Sequence, residues 1–276
     1  MESRNDLRLP PPWISPVAGK VAREVRPVII VPRRKTSNYD SDAQNYIDRL
    51  AVASGQDIEE DLKKIINDLF VSLKAGAYLQ KMQSAALLAG PRTITTIVPL
   101  LPTMPTPVRA GTLASFTYNR KTGTSGGGAG YINTNLNDSA MGLNDVHLAT
   151  HTSSGAPAIG VIVTNGTAMA NGFVRNRTSA AAAHAAGAGF FATARNNSAN
   201  YTINSGGSDT TVTAASTTRE NLSHFVLCRN ANGSPNFFST APHTFYSIGT
   251  GVGLSLPGLR AIVLTYFNAL QLLNLT

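Results

Sequence analysis

The chain has 276 residues, of which 42% are hydrophobic and only 14% charged, with a formal net charge of +8 and one cysteine. That length buries a sizeable core, and a lone cysteine excludes a fold stapled by internal disulfides. No run approaches the ~18 apolar residues of a membrane-spanning helix, and with so few charged side chains surface polarity rests mainly on Asn, Ser, Thr and backbone.

Residues 1–38 read as an extended, Pro-rich, basic arm. Residues 1–35 hold eight Lys/Arg against three Asp/Glu. Pro10, Pro11, Pro12, Pro16, Pro27 and Pro32 block regular helix and central-strand pairing. Apolar plugs lie between them: Trp13 and Ile14, then Val28, Ile29 and Ile30. A basic start is either a solvated tail or an arm docked on an acidic partner. The plugs suit a segment anchored across a partner surface. Zinc spacing, an RNP-like run and a helix-turn-helix are all missing from the sequence, which argues against nucleic acid as that partner.

Residues 39–110 read as a helical module and connector. A first helix spans Asp42–Ala53, with Tyr46, Ile47 and Leu50 on one side and Gly55 as its stop. A second starts at Asp57, where Glu60 completes a variant capping box. Ile58, Leu62, Ile65, Ile66, Leu69, Phe70 and Leu73 keep the spacing of a buried helical face. A third, shorter helix is expected over Tyr78–Ala89, halted by Gly90 and Pro91. Thr93–Val98 has strand character, and a Pro-rich stretch then leads to a boundary near Ala110.

Residues 111–276 read as an antiparallel β-sandwich with a terminal helix. Phe116 and Tyr118, Val146, Leu148 and Thr150, Ile159 and Val161, Tyr201 and Ile203, Phe225 and Leu227, and Phe245 and Ser247 alternate along short runs. Period-two alternation with turn residues every 8–12 positions or so marks a sandwich or barrel. Thr164–Thr167 and Asn204–Gly207 look like hairpin turns. Ala180–Ala186 has no apolar stripe and reads as a loop or edge segment. Leu259–Leu275 is amphipathic and reads as a helix packed on the sandwich or on the helical module.

Only Asp138, Asp145, Asp209 and Glu220 are acidic after Ala110. A retaining glycosidase needs two carboxyl groups about 5–5.5 Å apart, and no paired-carboxylate motif occurs, so the sandwich is read as non-enzymatic. In the loop 133–145, Asp138 and Asn135 could serve calcium, or else turns in which Asn and Asp bond their own backbone. His147 and His151 share a strand face, but zinc needs further ligands. Arg175 and Arg177, beside Asn171 and Asn176, either line a carbohydrate or anionic-glycan groove or belong to an ordinary exposed sheet face. Tyr131 could stack on a sugar or fill the core. Cys228 reads as a small buried hydrophobe.

Four stretches carry a wider resemblance: DAQNYIDRLAVASGQDIEEDLKKIINDLFVSLK, LLAGPRTITTIVPLLPTMPTP, YNRKTGTSGGGAGYINTNLN and FVLCRNANGSPNFFSTAPHTFYSIGTG. Over roughly residues 40–276 the chain resembles structural proteins of tailed bacteriophages, cyanophage types included, that carry a concanavalin A-like lectin or laminin-G-like domain. The resemblance implies a jelly-roll-like sandwich of two antiparallel sheets and a virion component made in a host cytoplasm. It fits the lack of an N-terminal apolar core of signal-peptide type. On it rest two expectations of role. One is a tail or baseplate fibre-type adhesin for host-surface glycans. The other is a capsid decoration protein held by the N-terminal arm. Other virion proteins, and copies of the chain itself in a trimer, are the expected partners.

Overall fold

The computed structural model describes residues 38–92, 97–170, 172–185 and 187–275. The expected anchors Trp13, Ile14, Val28, Ile29 and Ile30, and also Asn171, lie outside the described residues. Ser37–Thr276 makes one compact unit. It is mainly β, with two antiparallel sheets face to face and three α-helices among the described residues.

Helix α1, Ser41–Ser54, starts where the Asp40 carboxylate accepts hydrogen bonds from the amides of Asp42 at 3.0 Å and Ala43 at 3.4 Å, the usual work of an N-cap aspartate. It stops at Gly55, whose φ of 67° favours glycine. Helix α2, Glu60–Ala75, begins without the expected capping box. Glu59 is its N-cap and makes no side-chain cap bond. Its carboxylate takes two bonds from Arg120 instead, at 2.7 and 2.8 Å. Asp57 turns back to accept from the Ile58 amide.

The third expected helix is a strand. After a short turn, β1 (Met82–Leu87) pairs antiparallel along a long strand near the C-terminus. Ala85 and Leu87 face one core and Ala86 and Leu88 the other. A run buried on both faces shows no period, so its partner decides its conformation. The strands then follow as β2 (Val108–Gly111), β3 (Thr117–Asn119), β4 (Gly123–Ser125), β5 (Gly130–Asn137), β6 (Val146–Thr152), β7 (Ile159–Gly160), β8 (Thr167–Ala170), β9 (Phe173–Asn176) and β10 (Ala182–Ala183). After these come β11 (Gly189–Arg195), β12 (Asn200–Ser205), β13 (Ser208–Thr213), β14 (Ser223–Val226), β15 (Arg229–Ala231), β16 (Ser234–Asn236) and β17 (His243–Gly249). Helix α3, Leu256–Leu272, closes the chain, capped by the Ser255 hydroxyl on the Gly258 amide. It begins three residues earlier than the apolar stripe suggests.

One sheet has eight strands in the order β13-β12-β11-β6-β17-β4-β3, with β1 also on β17. A second has seven, β10-β9-β8-β7-β14-β5-β2, and β15 and β16 pair as a separate two-stranded hairpin. Val146, Leu148, Phe191, Tyr246 and Ile248 from the first meet Ile132, Ile159, Met169, Val174 and Val226 from the second. The outer face of the eight-stranded sheet is covered as well. Ala149, Phe190, Ala192 and Phe245 pack there beneath Tyr46, Leu62, Phe70, Leu259 and Tyr266 of the helices. Each such large apolar side chain contributes about 1.5–3 kcal/mol when fully buried. The boundary expected near Ala110 therefore falls inside β2. The helices are a third layer of the same unit, because β1 is stitched to β17.

Candidate functional site

Covering one sheet with helices leaves the outer face of the seven-stranded sheet to carry chemistry. Residues opposite one another on neighbouring strands share a face. Arg175 lies opposite Ala168, Ala168 opposite Gly160, Gly160 opposite Phe225, and Phe225 opposite Asn133. This row points away from the core that holds Val174, Met169, Ile159, Val226 and Ile132.

Along β8 the outward side chains are only Ala168 and Ala170, so the face sinks into a groove of about 360 Å3. Phe173, Arg175 and Ala181 form one side of its lining, and Ile162, Arg229 and Phe237 the other. The second side is built by the β15–β16 hairpin. Its turn residues Asn232 and Gly233 sit at φ of 52° and 86°, the two positive values that a tight hairpin requires. The Arg229 guanidinium lies 4.2 Å from the centre of the Phe237 ring. Phe237 has φ of 50°, a strained conformation for a bulky residue. Its amide is held by the Asn236 side chain at 2.7 Å. Phe173 is 55% and Phe237 38% exposed. A second hollow of about 290 Å3, lined by Ser154–Ala158 and Phe237–Ala241, shares Phe237 with the first.

The groove holds two positive charges and no acid among its lining residues. Neither Arg175 nor Arg229 is in an ion pair among the described residues. The Nε of Arg229 is buried and has no acceptor among the described residues. Burial, and after it the charge of Arg175, holds the Arg229 guanidinium below its ordinary pKa.

Arg177 is not in this groove. Its φ of 59° reverses the alternation at the end of β9 and turns the side chain inward, where it is wholly buried. There its Nη2 donates to the Asp138 backbone carbonyl at 2.8 Å and lies 3.1 Å from the Asp138 carboxylate. Asp138 is equally buried, 3.2 Å from His224 Nε2, and it accepts from the Glu220 amide at 2.9 Å. Burial alone would raise the Asp138 carboxyl. The adjacent His224 imidazole and Arg177 guanidinium outweigh it and hold the carboxyl below its usual range. The Asp138 carboxylate is thus enclosed, one oxygen accepting the Glu220 amide and the other facing the Arg177 guanidinium and the His224 imidazole. Asn135 is exposed and donates to the Thr106 carbonyl. The structure does not bring the two together as calcium ligands.

Tyr131 shares the outer sheet face with Arg175 but stands four strands away, about 19 Å at the usual strand spacing. It is half-buried against Phe225, ring centres 4.5 Å apart. The other carboxylates of the sandwich also serve backbone or neighbours. Asp145 accepts from the amides of Gly251 and Val252, Glu220 from those of Val163, Thr164 and Asn165, and Asp209 from the Asn204 side chain. His147 is bonded to the Thr250 carbonyl and Ser247 hydroxyl, and His151 to the Thr244 hydroxyl. Burial drives both rings down to about 4. Burial pushes the Cys228 thiol up to about 12, so it is not a reactive thiolate at neutral pH.

Sequence reasoning selected Arg175 and missed Arg229, Phe237 and Phe173. A signal existed in RNANGSPNF, where an Asn-Gly turn folds Arg229 and Phe237 onto one hairpin end. The small–large–small pattern of Ala168, Met169 and Ala170 also announces an outward hollow.

No family model matches the chain, and no curated protein matches it. Solved structures do resemble it. The binding domain of botulinum neurotoxin serotype D/C VPI 5993 is 12% identical over 70% of this chain and 53% of its own, with a TM-score of 0.44. The binding domain of botulinum neurotoxin DC, in complex with rat synaptotagmin II, is 13% identical over 70% and 52%, with a TM-score of 0.43. Domain 4 of AbnA, a GH43 extracellular arabinanase from Geobacillus stearothermophilus, in complex with arabinotriose, is 10% identical over 65% of this chain and 98% of its own, with a TM-score of 0.37. The chain spans about half the length of the neurotoxin domains it matches. Likeness at this level carries no argument about ligand or partner.

Proposed function

We propose that this chain is a non-catalytic adhesin whose saccharide site is the groove on the outer face of the seven-stranded sheet. The observation that carries the reading is the pairing of two exposed aromatic rings, Phe173 and Phe237, with two guanidiniums over a floor of alanines. A concave, mostly apolar site of about 300–1,000 Å3 with a few polar groups is the usual form of a small-ligand site. The engagement of Asp138, Asp145, Asp209 and Glu220 in structural hydrogen bonds supports binding over hydrolysis. The sequence resemblance to tailed-phage structural proteins supports placing the adhesin on a virion, at a tail or baseplate, with host-surface glycan as its target.

The test of role is binding of the whole chain to host envelopes, together with its location on the particle by labelled electron microscopy. Envelope binding and a tail or baseplate position are expected. A capsid position without envelope binding would replace the adhesin by the shell-decoration role.

A further inference from the structure

We infer that the groove recognises a carboxylated sugar, with Arg175 and Arg229 taking the carboxylate and Phe173 and Phe237 flanking the ring. The inference rests on the saccharide reading above and names its ligand class. Two guanidiniums brought to one small apolar groove repel each other, and a charge withdrawn from water is costly unless paired. The most deeply buried cations of the unit have partners on the protein, while half-buried Arg109 lies against the Phe116 ring. Arg120 has Glu59, Arg177 has Asp138, and Arg195 gathers the carbonyls of Asn176, Asn197, Asn200 and Ala214. The groove pair has no ion pair among the described residues, and because the Arg229 Nε is shut off from solvent it is the terminal nitrogens that a ligand would meet. A planar carboxylate matches the guanidinium fork with two parallel bonds. The Arg229 guanidinium already lies 4.2 Å from the centre of the Phe237 ring, so part of its rotamer freedom is spent before binding. The apolar rest of the lining suits the C–H face of a sugar ring rather than a bare inorganic anion.

The test is a glycan panel in which glucuronate, galacturonate and sialate oligosaccharides stand beside their carboxyl-reduced forms, with sulfated and neutral saccharides alongside. The protein is the full chain. The carboxylated forms are expected to bind and the reduced forms to fall away by on the order of tenfold or more. Arg175→Gln and Arg229→Gln should each lose a similar factor while unfolding at the wild-type temperature. Binding should weaken as salt rises from about 0.05 M to about 0.5 M. Equal binding of reduced and carboxylated forms, or a preference for sulfated or neutral saccharides, overturns the carboxylate inference and leaves a saccharide site standing. Failure to bind any saccharide on the panel overturns both. Wild-type affinity in both Arg variants also overturns the inference, because it removes the guanidiniums from recognition.

Discussion

Asp138 and Arg177 are both fully excluded from solvent, and each neutralises the other. Removing one partner of such a pair leaves a buried charge and is strongly destabilising. Asp138→Asn should therefore cost about 3–5 kcal/mol in denaturant unfolding. Asp209→Asn, on the exposed strand β13, should cost under about 1 kcal/mol. Equal small effects would contradict the buried pair. Histidines give a second residue-scale prediction. Burial lowers His147 and His151 from 6.5 to about 4 and His243 to about 3, the last also under the influence of His151. The unfolded chain takes up protons near pH 6.5 that the folded chain refuses until much lower pH. Stability from these rings is thus complete above pH 6.5 and is lost as pH falls toward 4 and then 3. Glu59, held at about 2 by the hydrogen bond from Arg120, adds loss in the same direction below its usual 4.5. A denaturant midpoint that falls steadily from pH 6.5 to pH 4 is expected, and a flat one would contradict three neutral buried rings. The same scale explains Arg177. Its residue type suggested a ligand contact, but a left-handed backbone at the strand end sends it to the core, and no local pattern announces that reversal.

Helix α3 is the lid of the eight-stranded sheet. Leu259, Val263, Tyr266 and Leu270 are buried against α2 and the sheet, and the Tyr266 hydroxyl donates to the Ala89 carbonyl at 3.0 Å. Leu259→Ala should cost about 2–5 kcal/mol, as large-to-small core changes do. Leu272→Ala, 88% exposed, should stay within about 0.5 kcal/mol. Thermal or urea unfolding of the two variants checks this directly. At this scale much of the fold was legible. Strand β12 alternates over most of its length because one of its faces is core and the other is not, whereas residues 133–137, read as loop, are the end of β5. α1 and α2 show their stripes and, for α1, its stop. β1 was hidden because two cores bury it and erase its period. β6 is buried along its whole length, and that followed from the helical layer, which no short-range pattern reveals. Of the site, Arg175 was legible as an outward position on an alternating strand. Phe237 and Arg229 required the knowledge that their hairpin packs beside β7 and β8.

The whole unit divides its surfaces by layer. Helices seal the outer face of one sheet, the two inner faces make the central core, and the outer face of the second sheet offers the groove. A site built on two sheet strands and a tight hairpin needs little reorganisation to bind. Binding should therefore leave the core unchanged and raise the unfolding temperature in proportion to occupancy. The most direct test of the account is retention of the wild-type chain and of Phe237→Ala on a panel of host-envelope glycans, with unfolding temperatures measured in parallel. Wild type should be retained, and Phe237→Ala should lose on the order of tenfold or more in affinity while keeping its fold, as loss of a stacking aromatic anchor does. Equal retention of the two proteins, or retention of neither, would contradict it.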